Sequence, residues 1–488
     1  MMSEQDGGTR VGGVRNADLY DKFRAYCQAA ATTLNSKLDE SGNREEFVVN
    51  LPGFILQRTG SVEPSDTKET NWRAVLRQWH PEVKVMNESM SVVQALKDDA
   101  TVARHLGKEV WFPGWGSLSP GSDTWADSFL IEVLYEGDGQ YQDAVFDRLY
   151  RRMEAFFYED QLELRILAPL GGFTMQDGAI DLGDRLRIVR LTQEDTDEMA
   201  RAWNFSASRL LYSKPWLAKR RWGFELYLEM DKRVDVAGPE PREEALEEMW
   251  MFVANERFNQ ACSALRVCRR GDVWHDLMLG TLTSWHPSAR PLIGGSWNLS
   301  RLGWEEYTLT EADAAKFVKL WKRWGKAEHW QDLEVAVRRF SMGCERSSAE
   351  DRLIDYVIAL EALLLPDEKI GEYRYRLSLR GAALLGKDPL DRAAVKRNLA
   401  EAYDCRSSIV HGSKEKPETV SWRKKPESGE KLATDEVAFR DFVDYVSDYL
   451  RDLIEKLRRR VEEKNLVRVL QEDIDDDIAK GFATRAQR

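Results

Sequence analysis

The sequence predicts an α+β N-terminal domain followed by an all-α helical bundle, and three observations carry this expectation. Its 488 residues exceed what one hydrophobic core usually organises. Up to residue 310, helix-spaced apolar residues alternate with short strand-like runs bounded by Gly and Asp turn signals. From Thr310 onward the spacing becomes that of nearly continuous helix. The expected organisation is a disordered stretch over 1–16, an α+β domain over 17–310, a helical domain over 311–465 and a polar, solvated tail over 466–488.

In order along the chain, Ala17 to Lys37 spaces Leu19, Phe23, Cys27, Ala30 and Leu34 as one helix face, and Glu46 to Gln57 reads as a buried strand. Ser89 to Leu106 suggests a short helix and Ser128 to Tyr135 a strand. Gln140 to Tyr158 is strongly amphipathic through Val145, Leu149, Met153, Phe156 and Phe157. Leu162 to Leu167, Ala179 to Leu182, Leu186 to Leu191 and Gly223 to Met230 read as strands. Arg242 to Cys262 reads as a long helix, and the stretch after it to about Thr308 as loop-rich.

Thr310 is a helix N-cap, with Glu311 and Asp313 favouring the first-turn dipole. Ser347-Ser348-Ala349-Glu350 fits a capping box opening a helix that ends at Pro366. A second helix covers about Glu372 to Leu385. Asp388 with Pro389 starts a third, which runs to Arg406-Ser407-Ser408-Ile409-Val410-His411-Gly412. Residues 413–433 are expected as a polar loop, and Thr434 as the cap of a last long helix carrying Phe442, Val446, Leu450, Leu453 and Leu457.

Composition excludes several classes. Hydrophobic residues at 43% against 32% charged residues describe a folding chain and not a disordered one. No apolar run approaches the roughly 18–20 residues of a membrane span, and the polar N-terminus lacks the order of a secretory signal, so a cytoplasmic protein without membrane contact is expected. Five scattered cysteines and six histidines never fall into ligand spacing, so neither disulfides nor a metal or other cofactor is expected. Net charge is −12, which argues against a protein that coats nucleic acid through many cationic contacts. Residues 311–488 carry 35 basic and 35 acidic side chains of the totals 71 and 83, so the whole acidic excess lies in residues 1–310. Any RNA binding must be local.

Arg406 and His411 stand out as an Arg and a His beside a small hydroxyl-bearing stretch at a helix end. Cleaving a phosphodiester through the ribose 2′-hydroxyl needs a proton-transfer group that works near neutral pH and a fixed cation for the developing phosphorane charge. His and Arg supply these, and Ser407 and Ser408 can orient phosphate or imidazole. Residues five apart on a helix point about 140° apart, so a site complete within one chain is awkward. Two copies about a twofold axis bring both pairs into one cleft, and Gly412 lets the helix end re-aim the imidazole. A bare R-x4-H pair fits an Arg capping a helix end beside a core His better than it fits a catalytic site.

Four blocks place that pair in context: Ala336 to Phe340, "DRLIDYVIALEALLL" (Asp351 to Leu365), "YRLSLRGAALL" (Tyr375 to Leu385) and "YDCRSSIVHG" (Tyr403 to Gly412). In order and spacing this run resembles the ApeA-like branch of the HEPN superfamily, over about a third of the chain. The resemblance implies a HEPN helical bundle that forms a homodimer with its R-x4-H motifs facing each other. It implies a metal-independent endoribonuclease leaving a 2′,3′-cyclic phosphate, with Arg406 on the phosphate and His411 as the acid–base group. It also implies an antiphage or toxin-like defence effector acting on RNA, single-stranded or tRNA, under a phage-derived or nucleotide trigger, with the N-terminal domain as sensor or substrate holder. Many HEPN nucleases carry Asn, Asp or His where this chain has Ser407. Toxins silenced by tyrosine modification carry Tyr where it has Ser413. The alternative is a non-catalytic HEPN module that dimerises and binds RNA or nucleotide.

Other residues have defined expectations. Glu361, in an apolar stretch, is expected to form an interhelix ion pair with Arg380. Tyr403, one turn before Arg406, is expected to pack in the bundle in preference to stacking on a base. Lys414, Lys416, Arg423, Lys424 and Lys425 can guide RNA but fit a solvated loop better, diluted as they are by glutamates. Among 17 tryptophans, the cluster Trp111-Phe112-Pro113-Gly114-Trp115 is expected to serve packing.

Overall fold

The computed structural model describes residues 13–56, 62–112, 115–176, 178–204, 220–234, 250–275, 277–289, 291–295, 306–367, 371–412, 418–424 and 432–480. The fold is mixed α and β. The chain divides into two compact units, one of Met1–Pro169, Arg185–Asn255 and Leu277–Ser296, the other of Leu170–Asp184, Glu256–Asp276 and Trp297–Arg488. Two segments upstream of residue 310 thus belong with the helical unit. Of the stretch expected to be disordered, residues 1–12 lie outside the described residues, as do Pro113 and Gly114.

In the first unit, α1 (Ala17–Ser41) starts where Asn16 accepts a hydrogen bond from the Leu19 amide, and it buries Leu19, Phe23, Cys27, Ala30 and Leu34. The hairpin of β1 (Val48–Leu56) and β2 (Val62–Thr70) follows, then α2 (Trp72–Lys84) and α3 (Asn87–Asp98). The expected helix to Leu106 breaks at Asp99, whose carboxylate caps the next turn through the amides of Thr101 and Val102. Residues 128–135 are not a strand but part of α4 (Ser122–Glu136). An eight-residue apolar run hides its period; with Trp125 and Ala126 added, the buried positions Phe129, Leu130, Val133 and Leu134 trace a helical stripe. α5 (Asp143–Tyr158) completes this core, with Phe23 edge-on to Phe129 at 5.1 Å and Trp125 4.5 Å from Phe157.

The helices are joined to an antiparallel sheet of β3 (Gln161–Gly171), β4 (Leu186–Arg190), β5 (Trp222–Asp231), β6 (Leu277–Leu282) and β7 (Leu292–Gly295), in the order β7-β6-β3-β5-β4. Strands therefore replace part of the stretch read as loop before Thr308. That stretch is rich in Gly and Trp, and its strands gain their order from pairing: Leu279 of β6 stands opposite Leu167 on one side and Ile293 on the other. Buried Glu225 takes Arg165 at 2.8 Å and Arg187, and Asp195 of α6 (Gln193–Asn204) takes Arg165 at 2.7 Å, so the carboxylates enter the interior already paired.

α7 (Trp250–Cys268) leads to the second unit; residues 242–249 of the expected helix lie outside the described residues. The unit continues with α8 (Glu311–Trp321), capped by Thr310 as expected, then α9 (Gln331–Glu345), α10 (Ala349–Leu364), α11 (Tyr373–Leu385) and α12 (Pro389–Val410). Ser348 caps α10 and Asp388 caps α12. The polar loop expected over 413–433 contains a strand. β8 (Thr419–Lys424) pairs antiparallel with β9 (Ala433–Ala438), which includes Thr434, and the last long helix, α13 (Phe439–Arg460), starts five residues later than its expected cap. Buried Asn398 on α12 exchanges two hydrogen bonds with the Arg423 backbone, and Trp422 stacks on Tyr449 at 5.3 Å, so tertiary partners make the hairpin.

The acidic segment after 466 is not a solvated tail. Leu466, Val469, Leu470 and Ile474 are buried, and the Asp475 carboxylate receives Nε and Nη2 of Arg380 at 2.9 and 2.6 Å. No helix among the described residues is long and apolar enough to cross a membrane, and all five cysteines are buried free thiols.

Two outcomes follow from buried charge. In the first unit, His105 donates Nδ1–H to the Thr101 carbonyl at 2.9 Å and packs against Phe156 and Phe157. Burial first, then Lys232, lowers its pKa from 6.5 to about 4; burial and then His105 lower that of His286 to about 3. The folded unit resists protons that the unfolded chain accepts, so the neutral imidazoles cost nothing above pH 6.5 and stability is lost as pH falls from there toward 4 and 3. Melting followed between pH 7.5 and 4.5 is expected to show a loss on the order of 1–3 kcal/mol, reduced in His105→Leu. In the second unit, Arg380→Ala leaves Asp475 without its guanidinium and Asp367 with Arg376 alone, and is expected to cost about 3–5 kcal/mol in denaturant titration; a change within 1 kcal/mol would contradict the clamp.

Candidate functional site

The site is built on the C-terminal half of α12. Asp388 accepts hydrogen bonds from the amides of Leu390 and Asp391 at 3.0 and 3.1 Å, and Pro389 occupies the first turn where no amide is needed. The neighbouring α11 approaches closely because Gly381 has no side chain: a Cβ there would lie 2.2 Å from Leu399. The far end closes on His411, whose backbone N–H donates to the Ser407 carbonyl at 3.0 Å, and on Gly412 at φ +74°, a left-handed position that glycine adopts without strain.

Along this end, the expected residues separate into two environments. Arg406 is half-buried, its side chain 25% exposed, with Nη2 4.0 Å from a carboxylate oxygen of Glu361 on α10. Its buried Nε has no hydrogen-bond partner among the described residues. His411 is exposed at the helix terminus and Ser408 is exposed beside it, whereas Ser407 is half-buried. Among the described residues no hydrogen bond or ion pair joins Arg406 to His411. His411 is the residue that caps α12, five positions beyond Arg406.

The ion pair expected between Glu361 and Arg380 does not form. Arg380, 3% exposed, is taken by Asp367 at 3.1 Å, Asp475 at 2.6 Å and the Leu364 carbonyl at 2.7 Å. Burial alone would raise the Asp367 carboxyl; hydrogen bonds from Arg380 and Arg376 overcome that and hold it down at about 2. Asp475 lies 95 residues from Arg380, beyond the reach of any local pattern, which is why such a pattern selects Glu361 instead. Glu361 faces Arg406, and its pKa is raised by burial, against which Arg406 pulls it down.

Tyr403 is half-buried and not a core residue. It forms one wall of an open cleft of about 460 Å³ completed by Glu372, Tyr373, Arg374 and Tyr375 from the start of α11. Sequence reasoning passed over these four; the signal was the interleaving of aromatic and charged residues in Glu372-Tyr373-Arg374-Tyr375-Arg376. Arg374 is locked by Asp404 through paired contacts of 2.7 and 2.6 Å, and the Lys396 ammonium lies 4.6 Å from the Tyr375 ring centre.

Of the basic residues expected to guide RNA, Lys414, Lys416 and Lys425 lie outside the described residues. Arg423 donates to the Ser421 carbonyl at 3.1 Å and approaches Glu401 at 4.0 Å, and Lys424 pairs with Asp435 at 2.6 Å. Both cations are therefore engaged within the unit.

Glu361 competes with any anion for Arg406. Replacing it with Gln is expected to tighten binding of inorganic pyrophosphate at Arg406 by roughly two- to fivefold, less than the ~1 kcal/mol that Coulomb attraction at 4 Å carries in water would allow at most. A raised carboxyl gains its proton as pH falls, so wild type should approach the variant at lower pH; identical affinities at every pH would remove Glu361 from the site. Comparison with known proteins found no family model, no curated protein and no solved structure that matches this chain.

Proposed function

We propose that the protein is a metal-independent endoribonuclease whose site is completed when two copies place their α12 ends together, each contributing Arg406 and His411. One observation carries the reading: at the same helix end, an exposed imidazole stands next to a glycine in the left-handed region, and a guanidinium that is 25% exposed has its carboxylate neighbour only at 4.0 Å. Both groups keep capacity for a ligand, and a phosphate diester uses that combination.

In this reading one His411 takes the proton of the ribose 2′-hydroxyl while its oxygen forms a bond to the adjacent phosphorus. Arg406 binds the phosphorane oxygens as charge accumulates, and the other copy's His411 protonates the departing 5′-oxygen. The products are a 2′,3′-cyclic phosphate and a 5′-hydroxyl. A toxin-like or antiphage role, with single-stranded RNA or tRNA as substrate, rests on the motif resemblance.

A second reading is favoured by the Glu361 carboxylate facing Arg406 and by the net charge of −12: a helical module that dimerises and binds RNA or nucleotide without cutting it. The two separate in a single assay. A labelled mixed RNA pool is incubated in EDTA with wild type, Arg406→Ala and His411→Ala, and the mass of each in solution is measured by light scattering. Cleavage by wild type, reduced on the order of 100-fold or more in both variants with the dimer intact, is expected for the nuclease. Cutting that survives His411→Ala would remove that residue from the mechanism, and binding without cutting by wild type would establish the second reading.

A further inference from the structure

We propose that the cleft between the start of α11 and Tyr403 of α12 is a nucleobase site, which receives one unpaired base of a single-stranded RNA whose phosphate lies at Arg406. The inference rests on the nuclease reading for the phosphate position and on independent observations for the base. Tyr373 and Tyr375 are 43% and 46% exposed, among the few large hydrophobic side chains outside the core, and both open onto the same cleft as Tyr403. Exposed rings gathered at one concavity offer π-faces, and such faces bind bases with little regard to sequence.

The charges around the cleft choose between ligands. Arg374 is neutralised by Asp404, which leaves the Glu372 carboxylate as the cleft's uncompensated charge among its lining residues. The Glu372 carboxylate accepts hydrogen bonds from the ring and amino N–H groups of a base. The cation for the phosphate stands outside the cleft: Arg406 follows Tyr403 by three residues, one helical turn and about 4.5 Å along the axis on the same face. Base in the cleft and phosphate at Arg406 therefore match the two parts of one nucleotide. The paired Arg374 and the Lys396 ammonium against the Tyr375 ring stiffen the walls before a ligand arrives. The carboxylate also sets a preference: guanine, with adjacent ring and amino N–H donors, should bind better than uracil, with one ring N–H.

The test is fluorescence anisotropy with the full-length His411→Ala protein, which prevents cutting, and fluorescein-labelled single-stranded RNA octamers that differ by one central G or U. Tyr373→Ala and Tyr403→Ala are each expected to weaken binding by roughly five- to 100-fold. Tyr403→Phe, which keeps the ring, should stay within about twofold. Glu372→Gln should erase the difference between G and U. Photocross-linking of a 4-thiouridine octamer, mapped by mass spectrometry, is expected at the cleft tyrosines. Alanine variants that fold and bind as their parent does, cross-links confined elsewhere, or no binding of the octamer would overturn the proposal. Tyr373→Ala that dissociates the dimer without weakening RNA binding would make the cleft a protein-docking surface instead. Cleavage by wild type with binding indifferent to the tyrosines would sink the base site and spare the nuclease; tyrosine-dependent binding without cleavage would do the reverse.

Discussion

A guanidinium cannot enter a protein interior alone, and the geometry of the helical unit is organised around that constraint at Arg380. Its five donors are met by Asp367 after α10, by Asp475 in the C-terminal segment and by the Leu364 carbonyl at the end of α10. Asp367 also takes Arg376, one turn earlier on α11, at 2.5 Å. Four parts of the chain are thereby held at one point. The same helix carries Gly381 against Leu399 and, at its start, the tyrosines of the open cleft. The position of α11, and with it the cleft and its distance from α12, depends on a charge network centred on Arg380.

The end of α12 shows the opposite economy. The Arg380 guanidinium is saturated, whereas Arg406 has its carboxylate neighbour 4.0 Å away, beyond hydrogen-bond reach. A half-buried cation held this loosely is available to a stronger anion, and a phosphate with its several oxygens is one. Glu361 makes that exchange conditional, because its charge must be displaced or neutralised for Arg406 to turn wholly to a ligand. The exposed His411 lies past the last helical turn, so its position is governed by Gly412 and by what comes to meet that surface. The proposed nuclease uses a second copy for this reason: among the described residues no hydrogen bond or ion pair joins the two groups within one chain.

Much of the fold was legible where local chemistry decides it. The caps at Thr310 and Asp388 and the long stripes of α1, α5 and α13 stand where the sequence places them, since a cap and its amides lie within three residues and a stripe needs only its own period; the α10 cap falls on Ser348, one residue past the first serine of its capping box. Errors fell where two conformations share a local pattern. Ser128–Tyr135 is an apolar run compatible with strand or helix, and its length was too short to reveal the period. The hairpin over 419–438 has little apolar character of its own and exists because Asn398 and Tyr449 bind it.

Of the candidate site, the sequence by itself determined the Arg406 and His411 pair, the helix that carries them, the glycine that ends it and the angular offset between them, because all are properties of ten consecutive residues. Only the tertiary structure decided that Arg380 belongs to Asp475 and Glu361 to Arg406, that Tyr403 lines a cleft with Tyr373 and Tyr375, and that the acidic C-terminal segment is packed. These depend on which distant groups come within a few ångströms once the helices dock, and charge pairing across 95 residues leaves no periodic trace in the chain.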